Sequence, residues 1–145
     1  MNLKGKGAGA KFALIGAVLA LIAAIGCIIY GVMYSQYFDI VIILGYIVGA
    51  AVLVAYVMVD NAVIDWFNLV GVTIISFCMG LFITNSYNVW ADTNGNLSQY
   101  GSLTGAFNFF GSEGGPIPAA ILIVIGLLAV IFGIICCFKG KGAKA

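Results

Sequence analysis

Residues 12–34 read FALIGAVLALIAAIGCIIYGVMY, an apolar run without a single charged side chain. A helix rises ~1.5 Å per residue, so ~20 such residues cover the ~30 Å hydrocarbon core of a bilayer. Runs of the same kind recur at 40–59, 66–85 and 117–138. Together they predict an all-α membrane protein: a four-pass transmembrane helical bundle forming one domain over residues 1–145. The first run also has to be weighed as a secretory signal, because a Lys-rich start precedes it and Ala24-Ile25-Gly26-Cys27 has the outline of a lipoprotein cleavage site. It continues through Ile28, Ile29, Tyr30, Val32 and Met33, beyond the ~7–15 residues of a signal core, and therefore reads as a span.

Composition narrows the function classes. With 63% hydrophobic and 8% charged residues and a mean hydropathy of +1.18, the chain falls far below the ~25–35% of charged surface positions that keep a domain soluble. The sequence has no His and no Arg. That removes the commonest general base and metal ligand together with the planar anion clamp. The six Lys fall outside the apolar runs, Lys4, Lys6 and Lys11 before the first and Lys139, Lys141 and Lys144 after the last. No basic stripe exists for nucleic acid, and the positive-inside rule predicts that both termini are cytoplasmic. The even number of spans agrees with this. The Lys-only, Ile- and Asn-rich composition favours a bacterial inner membrane as the plasma membrane concerned.

On this threading the connection 86–116, about thirty residues long, is extracytoplasmic, and Asp39, Asp92 and Glu113 make the outer face acidic. Asp39 and Asp65 each stand just before an apolar run, where a carboxylate caps the first helical turn. Tyr34, Tyr37, Tyr87 and Trp90 outside, with Phe12, Trp66 and Phe138 inside, read as interfacial anchors. Small residues spaced by four predict close helix approach, within one chain or between copies: Gly16, Ala20 and Ala24 in the first helix, Gly45 and Gly49 in the second, Ser76, Gly80 and Thr84 in the third, Ala129 and Gly133 in the fourth. Thr73, Ser76 and Thr84 are expected to return their hydroxyls to the carbonyl one turn back.

No Asp, Glu or Lys falls well inside a predicted span, which argues against a pump or proton-coupled carrier. Cys27 and Cys78 read as small hydrophobes, and Cys136-Cys137 beside Lys139 as a setting that permits S-palmitoylation. No cofactor is implied. The outer connection holds the chain's polar variety. Asn94-Gly95 is a two-residue hairpin signal, with 87–93 and 96–102 as its strands. Tyr87, Trp90, Tyr100, Phe107, Phe109 and Phe110 are the candidate partner-binding residues, since aromatics on a scaffolded loop commonly carry recognition. Oxygen ligands at Asp92, Asn94 and Asn96 resemble the start of a calcium loop, but Leu97 and Leu103 stand where its glycine and bidentate acid belong, leaving at most a weak cation site. Asn96-Leu97-Ser98 is a glycosylation sequon.

A short first outer loop and a long second one resemble the tetraspanins in outline, and four spans with cytoplasmic ends resemble the claudins. The Cys-Cys-Gly motif of the former and the paired Cys with Trp of the latter have no counterpart in the outer loops, so no residue role carries over. The expectation is a non-enzymatic membrane accessory or scaffold protein. Its outer loop would bind a membrane or cell-surface protein, a glycan or a second copy of the chain. A small oligomeric channel or transport component with an acidic outer mouth is the alternative.

Overall fold

A computed structural model describes residues 4–33, 39–92 and 116–139. Among them the chain is all-helical, with α1 at Ala8–Met33, α2 at Ile40–Met58, a 3-10 turn at Ile64–Trp66, α3 at Phe67–Asp92 and α4 at Pro116–Lys139. Four helices are long and apolar enough to cross a membrane. They run up, down, up, down, each packed on its chain neighbours, and α4 closes the ring against α1. One end of the bundle carries Lys4, Lys6, Lys11 and Lys139 and is called the lysine end; the other is the loop end.

The helix ends refine the expected boundaries. α1 starts at Ala8 rather than residue 12, so Lys11 lies in its first turn. Asp39 caps α2, its Oδ1 accepting from the Val41 N–H at 2.9 Å. Asp65 does not stand immediately before α3, because it lies inside the 3-10 turn, where Asn61 Oδ1 takes the Val63 N–H at 3.1 Å. Pro116 opens α4, and Pro118 falls in its first turn, where a missing N–H costs nothing.

Residues 86–92, which the sequence places at the start of the outer loop and, from Tyr87, in the first hairpin strand, continue α3 without a break as far as Asp92. No Gly or Pro occurs between Asn85 and Asp92. Adding a residue to an existing helix gains one hydrogen bond per residue fixed, and this outweighs the strand preference of Tyr87, Val89 and Trp90. The hairpin turn Asn94-Gly95 and the strand 96–102 lie outside the described residues.

The interior is built from small residues on α1 and larger ones facing them. Ala10, Ala13, Ala17, Ala20, Ala24 and Cys27 are all buried, spaced alternately by three and four, the heptad pattern of a left-handed coiled seam. Ile42, Tyr46, Gly49, Leu53 and Tyr56, also buried, repeat the pattern on α2. Tyr46, Leu53, Ile75 and Val57 are the bulkiest fully enclosed side chains and fill the axis. Where lipid removes the hydrophobic gain of association, close backbone approach and dispersion hold helices together, which is why the seams are rich in Gly and Ala.

Glycines mark the closest crossings. A Cβ on Gly49 would lie 2.6 Å from Ile75 Cγ1 and 3.3 Å from the Gly71 carbonyl, and one on Gly71 would lie 3.2 Å from the Gly49 carbonyl. The two glycines therefore face each other where α2 crosses α3. One on Gly45 would strike Cys78 Sγ, and one on Gly133 would strike Val72. Gly16 rests on α4, a Cβ there falling 3.3 Å from the Ala129 carbonyl and 3.4 Å from Gly133 N. Ala20 and Ala129 are fully buried.

Gly80 departs from expectation. Nothing lies within 4 Å of the position its Cβ would take, because α3 turns Gly71, Ile75 and Cys78 inward and the Ser76, Gly80, Thr84 stripe lies to one side. The hydroxyls on that side bond one turn back, Thr73 to the Leu69 carbonyl at 2.8 Å, Ser76 to Val72 at 2.8 Å and Thr84 to Gly80 at 2.9 Å.

Candidate functional site

Chemistry-bearing residues gather at three levels of the bundle. At the lysine end, Lys6 Nζ reaches both oxygens of Asp60, at 3.1 and 3.2 Å, tying the segment before α1 to the α2–α3 connection. Both carboxylates of this end, Asp60 and Asp65, lie in that connection. Phe12 stacks on Phe132 of α4 with ring centroids 5.9 Å apart and planes at 17°. Trp66 and Phe138 are exposed at 69% and 86%, as a belt residue would be. Cys136 is fully buried beneath this end while Cys137 is half-buried.

Within the loop-end half, Cys27 of α1, Tyr46 of α2 and Cys78 of α3 are all buried. The Tyr46 hydroxyl extends to α4, lying 2.7 Å from where a Cβ on Gly126 would be. Gly126 thus leaves room for a phenol in the middle of the bundle. Nothing in the spacing of Tyr46 and Gly126 announces this contact, which joins diagonal helices. Among the described residues no group of three His, Cys, Asp or Glu is placed to hold a metal ion.

The third level is the loop end itself. Tyr30 of α1 and Phe82 of α3 meet edge to face, their centroids 5.7 Å apart, which sets these two positions level across the bundle. α1 ends three residues beyond Tyr30, whereas α3 continues for ten beyond Phe82. The difference of seven residues is roughly 10 Å of helix. Tyr87 and Trp90 both fall on this extension. They therefore sit on a regular helix rather than in the loop where they were expected, and the signal that would have placed them there is the absence of any breaker before Asn94-Gly95.

Of the other candidate residues, Tyr100, Phe107, Phe109 and Phe110 lie outside the described residues. Asp92 is the last residue of α3, and its proposed companions Asn94 and Asn96 also lie outside them. No protein-family model, no curated protein and no solved structure matches the chain.

Proposed function

We propose that this chain is a non-enzymatic accessory or scaffold protein of the plasma membrane, threaded with both chain ends in the cytoplasm and presenting its α3–α4 connection outside. The lysines gathered at one end support the orientation, because cytoplasmic flanks of spanning helices carry the excess of Lys. Between Lys11 and Lys139 the described helix interiors hold no charged group well inside the spans, and the axis is filled by Tyr46, Leu53 and Ile75. A bundle of this kind suits holding a shape better than passing an ion.

The observation that carries the proposal is the extension of α3 beyond α1. A helix positions side chains more rigidly than a loop, and aromatics held on a rigid element lose little entropy when they bury against a partner. Tyr87 and Trp90 are the anchors in this reading, with Tyr100, Phe107, Phe109 and Phe110 completing the surface; the partner is a membrane or surface protein, a glycan or a second copy of the chain.

The test is co-purification from detergent-solubilised membranes of the parent organism. Tyr87→Ala with Trp90→Ala should deplete a partner that the unaltered chain retains, while the bundle melts as before. Retention of every co-purifying component by the double variant would overturn the reading.

A further inference from the structure

The lysine end is charged unevenly. Among the described residues its two carboxylates both belong to the α2–α3 connection, and one of them, Asp60, takes Lys6 at 3.1 Å. α1 and α4 contain no Asp or Glu along their whole length, so Lys11 and Lys139 stand on the side of the bundle whose described residues carry no acidic charge. Both are exposed, and among the described residues neither forms an ion pair.

The two lysines are also brought to one level. Gly16 lies between Ala129 and Gly133 of the antiparallel α4, so Lys11, five residues further out along α1, is level with about residue 136. Lys139 then stands roughly 5 Å further along the axis, on a neighbouring helix ~8–10 Å away. Two lysine side chains are long enough to reach one anion across a gap of that size. Next to Lys11 along α1, Phe12 stacks on Phe132 of α4 and makes the seam apolar there. Ile15, Val18 and Ile22 follow Lys11 along α1 as an outward apolar stripe, 42%, 55% and 45% exposed. Phe138, 86% exposed, flanks Lys139, where an aromatic ring suits the headgroup layer.

We propose that this end of the α1–α4 seam binds an anionic phospholipid, with the headgroup phosphate held between the Lys11 and Lys139 ammonium groups and an acyl chain laid along Ile15, Val18 and Ile22. Charge alone would attract any anion; the apolar stripe that begins directly beneath the lysines selects one that carries a chain. The site rests on the helices crossing a membrane, and stands or falls independently of what the α3 extension binds.

The full chain, purified in a neutral detergent, is titrated with phosphatidylglycerol, with phosphatidylcholine of the same acyl composition and with inorganic phosphate, and bound lipid is counted by native mass spectrometry. Phosphatidylglycerol should bind in preference to phosphatidylcholine, and inorganic phosphate should not displace it. Lys11→Gln with Lys139→Gln should reduce that preference by roughly 30-fold, the effect of two basic residues near an anionic headgroup, and Lys11→Arg with Lys139→Arg should restore most of it. If the Gln pair fails to fold, loss of the preference of the unaltered chain in 1 M salt replaces it as the readout. Equal binding of the two lipids, displacement by inorganic phosphate, or a preference that survives the Gln pair or high salt would each overturn the proposal.

Discussion

Replacing Gly49 by Ala adds one methyl group at the point where α2 and α3 approach most closely. That methyl would lie 2.6 Å from Ile75 Cγ1 and 3.3 Å from the Gly71 carbonyl, whereas carbon atoms settle ~3.5–4.0 Å apart. Ile75 is fully buried and β-branched, so its side chain has little freedom to retreat. The carbonyl cannot move without its helix. The crossing must therefore open by about 1 Å, and a gap of that size forfeits a quarter to a half of each affected dispersion contact. Overpacking of this kind costs about 1–3 kcal/mol, against a gain of at most ~1 kcal/mol from replacing Gly by Ala in a helix. Gly71→Ala should behave alike, since its methyl would lie 2.9 Å from Leu53 Cγ and 3.2 Å from the Gly49 carbonyl. Because both substitutions open the same crossing, the double variant should lose less than the two single losses added together. Gly80→Ala is the internal control: it meets nothing within 4 Å and should leave stability unchanged or slightly raised. The assay is reversible unfolding in mixed micelles as the fraction of denaturing detergent rises. If Gly49→Ala and Gly80→Ala unfold at the same detergent fraction, the glycine crossing is not a site of close approach and the reasoning fails.

Three further outcomes follow from the same geometry. Asp60→Asn breaks the ion pair with Lys6, but the Asp60 side chain is 74% exposed, so the loss should stay below about 1 kcal/mol and disappear in high salt in the same unfolding assay. In the folded protein an aqueous maleimide should leave Cys27, Cys78 and Cys136 unmodified, because all three are buried; rapid labelling of Cys27 by mass spectrometry would show that the loop-end half of the bundle opens. Asp39→Asn, Asp92→Asn and Glu113→Gln together should leave partner retention intact, and a cation flux in reconstituted liposomes that these three substitutions suppress would favour the channel reading instead.

Much of the architecture was legible in the sequence because spanning helices are set by length and hydropathy, and both are local properties. The Asp39 cap was legible for the same reason, a carboxylate standing directly before an apolar run. The GxxxG pair of α2 pointed to a close crossing, but its partner Gly71 did not stand out, since no second small residue lies four positions away to mark it. In α3 the four-residue spacing of Ser76, Gly80 and Thr84 marks a stripe to one side of the interior, with Ser76 half-buried and Gly80 and Thr84 exposed. Small residues permit close approach without requiring it, and the choice of face was made by Ile75, Cys78 and Phe82, whose bulk fills the interior. The alanine heptad of α1 was visible in part, as Ala20 and Ala24, and becomes a full seam only when Ala10, Ala13 and Ala17 are read at alternating spacings of three and four. Contacts between distant residues, Tyr46 with Gly126 and Phe12 with Phe132, depend on how four helices are arranged around an axis, and no local pattern encodes that. The candidate binding residues were found by composition alone, so the continuation of α3 through Tyr87 and Trp90 changed their setting from loop to helix.

The proposed role requires the α3–α4 connection and the chain ends to lie on opposite sides of the membrane. Single cysteines placed at Asn94, between α3 and α4, and at Ala143, after α4, in a background with the native cysteines replaced by Ala, can be probed on intact cells with a membrane-impermeant maleimide. Asn94→Cys should be labelled at once and Ala143→Cys only after the membrane is permeabilised. Labelling of Ala143→Cys on intact cells, with Asn94→Cys protected, would contradict the proposed role.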